Sequence, residues 1–264
     1  MSEILTSSNN SKIKLVRALQ ERRNTRASEA KFVAEGVRLL EEALSVNWPM
    51  DFVLYDQSLS ERGFALLSGL AKNPETSISQ ITPELMSNIS DTETPQGILA
   101  VLHRQALHLP QNPTFIILID QLRDPGNMGT LLRTAEAAGS DGVILTPGTV
   151  DAFSPKVIRA GMGAHFHLPI KQQSWEEVNK YLRNLPVFLA DVQGGTPVWQ
   201  ANFRQPCALL IGGEAFGASV EGQAIATHQV TIPIVGRVES FNAAIAAAIL
   251  MGEVLRQRLT HNKD

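Results

Sequence analysis

The sequence has very little sulfur chemistry to offer. Its single cysteine, Cys207, cannot form an internal disulfide, and it sits in the apolar run Cys207-Ala208-Leu209-Leu210-Ile211. A reduced core thiol in a reducing compartment is the expectation. Aromatic residues make up only 6% of the 264, with two tyrosines and three tryptophans. The longest apolar stretch, Ala243 to Gly252, is well short of the roughly 20 residues that cross a bilayer. The opening "MSEILTSSNNSKIK" lacks the apolar core of a secretory signal. Together these absences predict a soluble cytoplasmic protein without a membrane partner. Two nucleotide signatures are also missing. Gly212 and Gly217 have the spacing of a phosphate loop, but Ala218 follows where lysine is required, and no strand-like run ends in G-x-G-x-x-G.

Charged residues are 19% and apolar ones 44%, the balance of an ordinary globular chain with a sizeable core. A net charge of −3 argues against generic polyanion binding. The charge is uneven, however. Lys12, Lys14, Arg17, Arg22, Arg23, Arg26 and Lys31 face only Glu21 and Glu29, a net +5 within residues 11–31. Such a run is either a solvated helix face or an arm that meets phosphates.

Residues 1–105 read as a small mixed α/β unit. Helical spacing groups Ile13, Val16 and Leu19, and again Val37, Leu40 and Leu44. Strand-like runs follow at 51–56 and 97–102, with a helical pattern between them. Residues 106–113 carry the linker signals, including two prolines. From 114 to 264 short apolar runs (115–120, 142–146, 187–192, 207–214, 230–235) alternate with helical patterns. This predicts an α/β domain: a parallel sheet with helices on both faces. Such sheets bind ligands beyond the carboxyl ends of their strands, where three loops of this chain fall.

The first loop is "DQLRDPGNMGTLLR", 120–133. Its glycines permit close backbone approach, Asn127 is placed to cap the next helix, and Arg133 can reach back toward the loop mouth. The second is "IGGEAFGAS", 211–219. Glu214 ends a buried strand, an expensive position unless the carboxylate is paired or used, and Arg133 is the expected partner. The third is "IPIVGRVESFNAAIAAAIL", 232–250, where Ser240 and Asn242 are candidate helix caps before an alanine-rich helix. His165 and His167 are expected on one face of a strand; no third ligand is correctly spaced, so no metal is expected. Ser154 and Pro155 read as a helix start.

In this order the three loops resemble the motifs of the SpoU (TrmH-like) RNA 2'-O-methyltransferases of the SPOUT superfamily, over residues 114–260. Residues 1–105 are similar to the small ribosomal-protein-like RNA substrate-binding domain often found ahead of that fold. The resemblance implies a C-terminal trefoil knot, bent S-adenosylmethionine bound within it, and a homodimer whose site is completed across the interface. It implies a donor pocket including Gly212, Ile232, Gly236 and Phe241, bordered by the strand that ends near Asp191. Arg133, Asn127, Glu214, Ser240 and Asn242 would form the reacting site. An arginine stays protonated, so Arg133 would hold a phosphate or stabilise a developing alkoxide rather than act as a literal base. Phe241 and Ala244 depart from the family's usual leucine and serine. The substrate would be RNA, rRNA before tRNA and not DNA, because only RNA has the 2'-hydroxyl. Lys12, Lys14, Arg22, Arg23 and Arg26 would contact it. A ribosome-assembly factor that binds RNA without turnover, and a small-molecule α/β enzyme using a nucleotide, remain as alternatives.

Overall fold

The computed structural model of the chain describes residues 4–261. Two compact units are present: Met1–Gln105 with Phe153–Phe166, and Ala106–Ala152 with His167–Asp264. The chain therefore returns to the first unit once, in addition to the break expected between 105 and 114. Aromatic packing is the reason for that return. Phe153 lies 5.3 Å from Phe32, ring to ring, under the Arg104 guanidinium, and Phe166 lies 5.1 Å from Trp48. Residues 106–113, expected as a linker, group with the second unit, where Tyr181 donates a hydrogen bond to the Pro110 carbonyl.

The first unit runs α1 (Ser11–Glu21), α2 (Arg23–Ser28), β1 (Lys31–Glu35), α3 (Val37–Ser45), β2 (Met50–Tyr55), α4 (Glu61–Leu70), β3 (Ser77–Gln80), α5 (Pro83–Ile89) and β4 (Ile98–His103). Its sheet has the order β1-β4-β2-β3, with β4 antiparallel to both neighbours and β3 parallel to β2. Ile13, Val16 and Leu19 of α1 bury their shared face against Val33, Phe52, Leu54 and Val101 of the sheet. Asn10 caps α1 by accepting from the Lys12 N–H. At the other end, Arg26 donates to the carbonyls of Leu19 and Gln20 and is only 5% exposed. That guanidinium completes a helix terminus, as cations near carbonyl ends do; it is not free to meet RNA. Lys12 is also engaged, donating to Ser77 and Ser79 beside the Phe52 ring. Lys14, Arg22 and Arg23 are exposed.

The second unit holds β5 (Phe115–Ile119), α6 (Pro125–Ala137), β6 (Gly142–Leu145), β7 (Ile170–Gln172), α8 (Trp175–Leu182), β8 (Val187–Ala190), β9 (Thr196–Pro197), β10 (Cys207–Ile211), α9 (Val220–Ile225), β11 (His228–Thr231) and α10 (Ala243–His261); α7 (Pro155–Gly161) belongs to the first unit. Seven strands, all parallel, pair in the order β7-β6-β5-β10-β8-β11-β9. Every residue of β5 and β10 is buried, which is why those strands read as unbroken apolar runs. The order reverses beside β5: the chain steps outward to β6 and β7, then returns on the other side of β10. Ligands bind at such switch points.

Some local expectations change. Asp124, not Asn127, caps α6, with Pro125 in its first turn. Ser154 precedes Pro155 at the start of α7, but its hydroxyl makes no capping bond. His165 lies in a 3-10 turn, Ala164–Phe166, rather than a strand, edge-on to the Phe153 ring. The last strand spans 228–231, so the loop before α10 begins at 232. Among the described residues no helix is long and apolar enough to cross a membrane, and no cluster of His, Cys, Asp or Glu could hold a metal ion.

Candidate active site at the carboxyl edge of the parallel sheet

The carboxyl ends of β8, β10 and β11 surround a cavity of about 600 Å³. Leu189 to Val192 form one side, residues 211–218 another, and Ile232 with Ile234 a third. The first turns of α10 close it, through Ser240, Phe241, Asn242, Ala246 and Leu250. Gly212, Ile232 and Phe241, named above as donor-pocket candidates, line this cavity, and so does Asp191. Gly236 does not: it is exposed, with open space where a side chain would be.

The loop after β10 is a tight hairpin. Gly213 and Gly217 each donate a backbone hydrogen bond to the other, both 3.0 Å. A Cβ on Gly212 would stand 2.4 Å from the Ala218 nitrogen, so no side chain fits there without moving the hairpin. Gly217 adopts φ +68°, a left-handed conformation that glycine takes freely.

Three side chains join the three loops. Asn242 begins α10, and its Oδ1 accepts from the N–H groups of Ala244 and Ile245. Its Nδ2 donates to Asn127 Oδ1 (2.9 Å), and Asn127 Nδ2 donates in turn to Glu214 Oε1 (2.9 Å). Glu214 Oε2 accepts from the Arg123 backbone N–H. Partial burial raises the Glu214 pKa, but the hydrogen bonds from Asn127 and from backbone N–H groups outweigh it, and the carboxyl sits below its ordinary value. Each amide is thereby fixed in one orientation, donor end toward the carboxylate. The line runs from a helix N-terminus to a negative charge, the direction the helix dipole favours.

Arg133 is not in this line. It is exposed on α6, and Glu214 pairs with no arginine among the described residues. Six helical residues separate Asn127 from Arg133, which turns Arg133 about 120° away around α6 and carries it about 9 Å along the axis. The expected ion pair is replaced by amide and backbone hydrogen bonds. Ser240 lines the cavity but does not cap α10; Asn242 does.

One residue beneath the cavity was not singled out from the sequence. Asp120, completely buried at the end of β5, accepts from Thr146 Oγ1 (2.7 Å) and from the Ser219 N–H (2.6 Å). It ties β5 and β6 to the base of the 212–218 loop. The signal was available: an acid closing an all-apolar strand has to be satisfied from inside.

The SpoU rRNA Methylase family model matches residues 114–252, and the MRM3-like substrate binding domain model matches residues 10–100. The 23S rRNA (guanosine(2553)-2'-O)-methyltransferase RlmP of Bacillus subtilis is 32% identical, covering 94% of this chain and 97% of that one. A 23S rRNA (uridine(2479)-2'-O)-methyltransferase of Streptomyces viridochromogenes is 31% identical, covering 96% and 92%. The crystal structure of the SpoU methyltransferase AviRb from the same organism, in complex with AdoMet, superposes with a TM-score of 0.85 at 30% identity, covering 95% of this chain and 100% of that one. With the family model matching residues 114–252 and a relative 32% identical over 94% of this sequence, the chain belongs to the SpoU rRNA methylase family.

Proposed function

We propose that this protein transfers a methyl group from S-adenosylmethionine to a ribose 2'-hydroxyl of structured RNA, with rRNA preferred over tRNA. The observation that carries this reading is the hydrogen-bonded line Glu214–Asn127–Asn242 at the rim of the 600 Å³ cavity. The rRNA assignment draws on the relatives' substrates.

The cavity suits the donor. Its volume is in the range of small-molecule sites. Ile232, Ile234 and Leu250 offer apolar walls, and Gly212 leaves backbone groups open to a flat base. S-adenosylmethionine would supply an electrophilic methyl group on a sulfonium. The chain's own residues do the remaining work. Glu214, ionised at neutral pH, fixes Asn127, and Asn127 with Asn242 presents amide groups that align the acceptor ribose. Arg133 lies outside this line in its own chain, so in this reading it acts from the second copy of a homodimer, where its guanidinium would stabilise negative charge developing on the hydroxyl oxygen or hold an adjacent phosphate. Positioning of this kind supplies much of the barrier reduction in a bimolecular transfer.

We also infer a homodimer. Val235, Val238, Phe241, Ile245 and Ile249 are exposed next to the cavity mouth, and a second copy of the chain would cover them. The 232–242 segment is read as part of a trefoil knot, by analogy with the family. The first unit is read as the ribosomal-protein-like RNA-binding domain, with Lys14, Arg22 and Arg23 toward RNA. A cytoplasmic location accords with these assignments. The alternative, a non-catalytic RNA-binding assembly factor, is disfavoured because Arg133, Asn127 and Glu214 are all retained.

The test is transfer of tritiated methyl from S-adenosylmethionine to rRNA from a strain lacking the gene, with mapping of the product. A single new 2'-O-methyl group is expected. Donor binding by calorimetry without any methyl transfer would favour the assembly factor; binding of NAD or ATP instead would favour a nucleotide enzyme.

A further inference from the structure

A second cavity, of about 290 Å³, lies against the first. The two share a wall: Gly213, Glu214, Ala215, Phe216 and Gly217 border both. The far side of the smaller cavity is formed by Gln121, Arg123 and Asp124. Phe216 is 85% exposed at the tip of the shared hairpin. Phenylalanine is normally among the residues most completely withdrawn from water, and nothing nearby forces it out. The hairpin holds it there through backbone alone. Its reciprocal Gly213–Gly217 bonds close the loop, and its root is seated so tightly that a Cβ on Gly213 would lie 2.5 Å from the Gln121 carbonyl oxygen. The ring thus stands at the tip of this closed hairpin, two residues from the carboxylate that accepts from Asn127.

We propose that the smaller cavity receives the nucleobase of the acceptor nucleotide, stacked on Phe216, with the Arg123 guanidinium at the phosphate beside it. This rests on the reading of the larger cavity as the donor site. Groups that react in line must approach within about 3–3.5 Å, so the acceptor has to enter through space adjoining the donor, and this cavity adjoins it along a whole loop. Its volume is enough for one base. Unpaired bases of folded RNA are commonly recognised by stacking on aromatic rings. Glu214 and Asp124 among its lining residues repel a phosphate, leaving the exposed Arg123 beside them as its counter-charge. Asp124 is already committed to capping α6 through the Asn127 N–H (2.7 Å).

The proposal is tested with full-length Phe216→Ala, Phe216→Leu, Phe216→Trp and Arg123→Gln. Methyl transfer is measured on rRNA from a strain lacking the gene, S-adenosylmethionine binding by calorimetry, and mass by sedimentation. Loss of one base stack lowers kcat/KM roughly 5- to 150-fold in the Ala and Leu variants. Phe216→Trp restores most of that loss. Arg123→Gln raises KM several-fold and flattens its dependence on salt. Donor affinity and mass stay at wild-type values in all four. Wild-type activity in Phe216→Ala, or equal rescue by Leu and Trp, overturns the proposal. A change in mass assigns Phe216 to a contact between chains, and weakened donor binding assigns it to the donor cavity; either also overturns it. Failure of the wild-type protein to bind S-adenosylmethionine refutes the underlying reading instead.

Discussion

The two edges of the parallel sheet are built differently. At the amino edge, side chains fasten strands to their surroundings. Asp141 accepts from the N–H groups of Thr114 and Phe115 and from the Thr114 hydroxyl. Arg258 of α10 donates to the carbonyls of Thr114, Phe203 and Gln205 and lies over the Phe115 ring. Gln257 bridges Ala201 and Phe203, and Thr227 holds the start of β8. At the carboxyl edge the fastenings gather around two carboxylates: Asp120 beneath, the Glu214–Asn127–Asn242 line above. Phe216, Val235 and Val238 there remain bare. Hydrogen bonds spent on the amino edge stabilise the fold. Groups at the carboxyl edge are left available for partners, which is where functional residues conflict with stability.

That contrast can be broken from either side. The largest effect is expected from Arg133→Ala, which should lower methyl transfer about 10²- to 10³-fold while leaving the melting temperature near wild type, since the side chain is exposed. Arg133→Lys distinguishes charge from fork: near-normal activity would exclude a bidentate role. At the opposite edge, burial pushes the Cys207 thiol up to about 11, against the opposing effect of Arg258. Iodoacetamide at pH 8 should therefore modify folded protein at least roughly a hundredfold more slowly than urea-unfolded protein, on thiolate fraction alone. Comparable rates would mean that this edge opens readily. Arg258→Ala should cost about 2 kcal/mol of stability by chemical denaturation, with turnover per folded molecule unchanged. A loss of turnover matching that of Arg133→Ala would erase the distinction between the edges. The smallest effect concerns Glu214. Its folded pKa lies below the unfolded value, so its contribution is present above about pH 4.3 and fades as pH falls through the folded pKa. The melting-temperature gap between wild type and Glu214→Gln should thus be widest near neutrality and narrow as the solution is acidified below about pH 4.3.

Sequence alone carried the sheet of the second unit well, because β5, β6, β8 and β10 are apolar throughout and the helices between them keep their period. It missed strands where burial is partial. β3 reads Ser-Ile-Ser-Gln on the edge of its sheet, and β7 is three residues with an exposed end. It also missed β1, a five-residue strand hidden between two strong helical patterns. The cavity at the strand ends was legible through glycines and the order of the loops. Side-chain partnering was not. Whether Asn127 caps its own helix or bonds Glu214 depends on Asp124 having taken the cap, a choice between neighbours that composition cannot decide. Arg26 illustrates the same point: its sequence position suggested a phosphate ligand, and its geometry makes it the stopper of α1.

The fate of Arg26 carries a quantitative corollary for ion competition. The theory of released counterions assigns about 0.9 of log–log slope to each backbone phosphate neutralised on a duplex. Tallying every cation between residues 11 and 31 would therefore overstate that steepness. Arg26 is withdrawn from water, Lys31 is matched to Asp51, and Lys12 is tethered by two serine hydroxyls. Titration with potassium chloride should reveal a gentler gradient than the tally implies, set by the few cations whose tips remain hydrated.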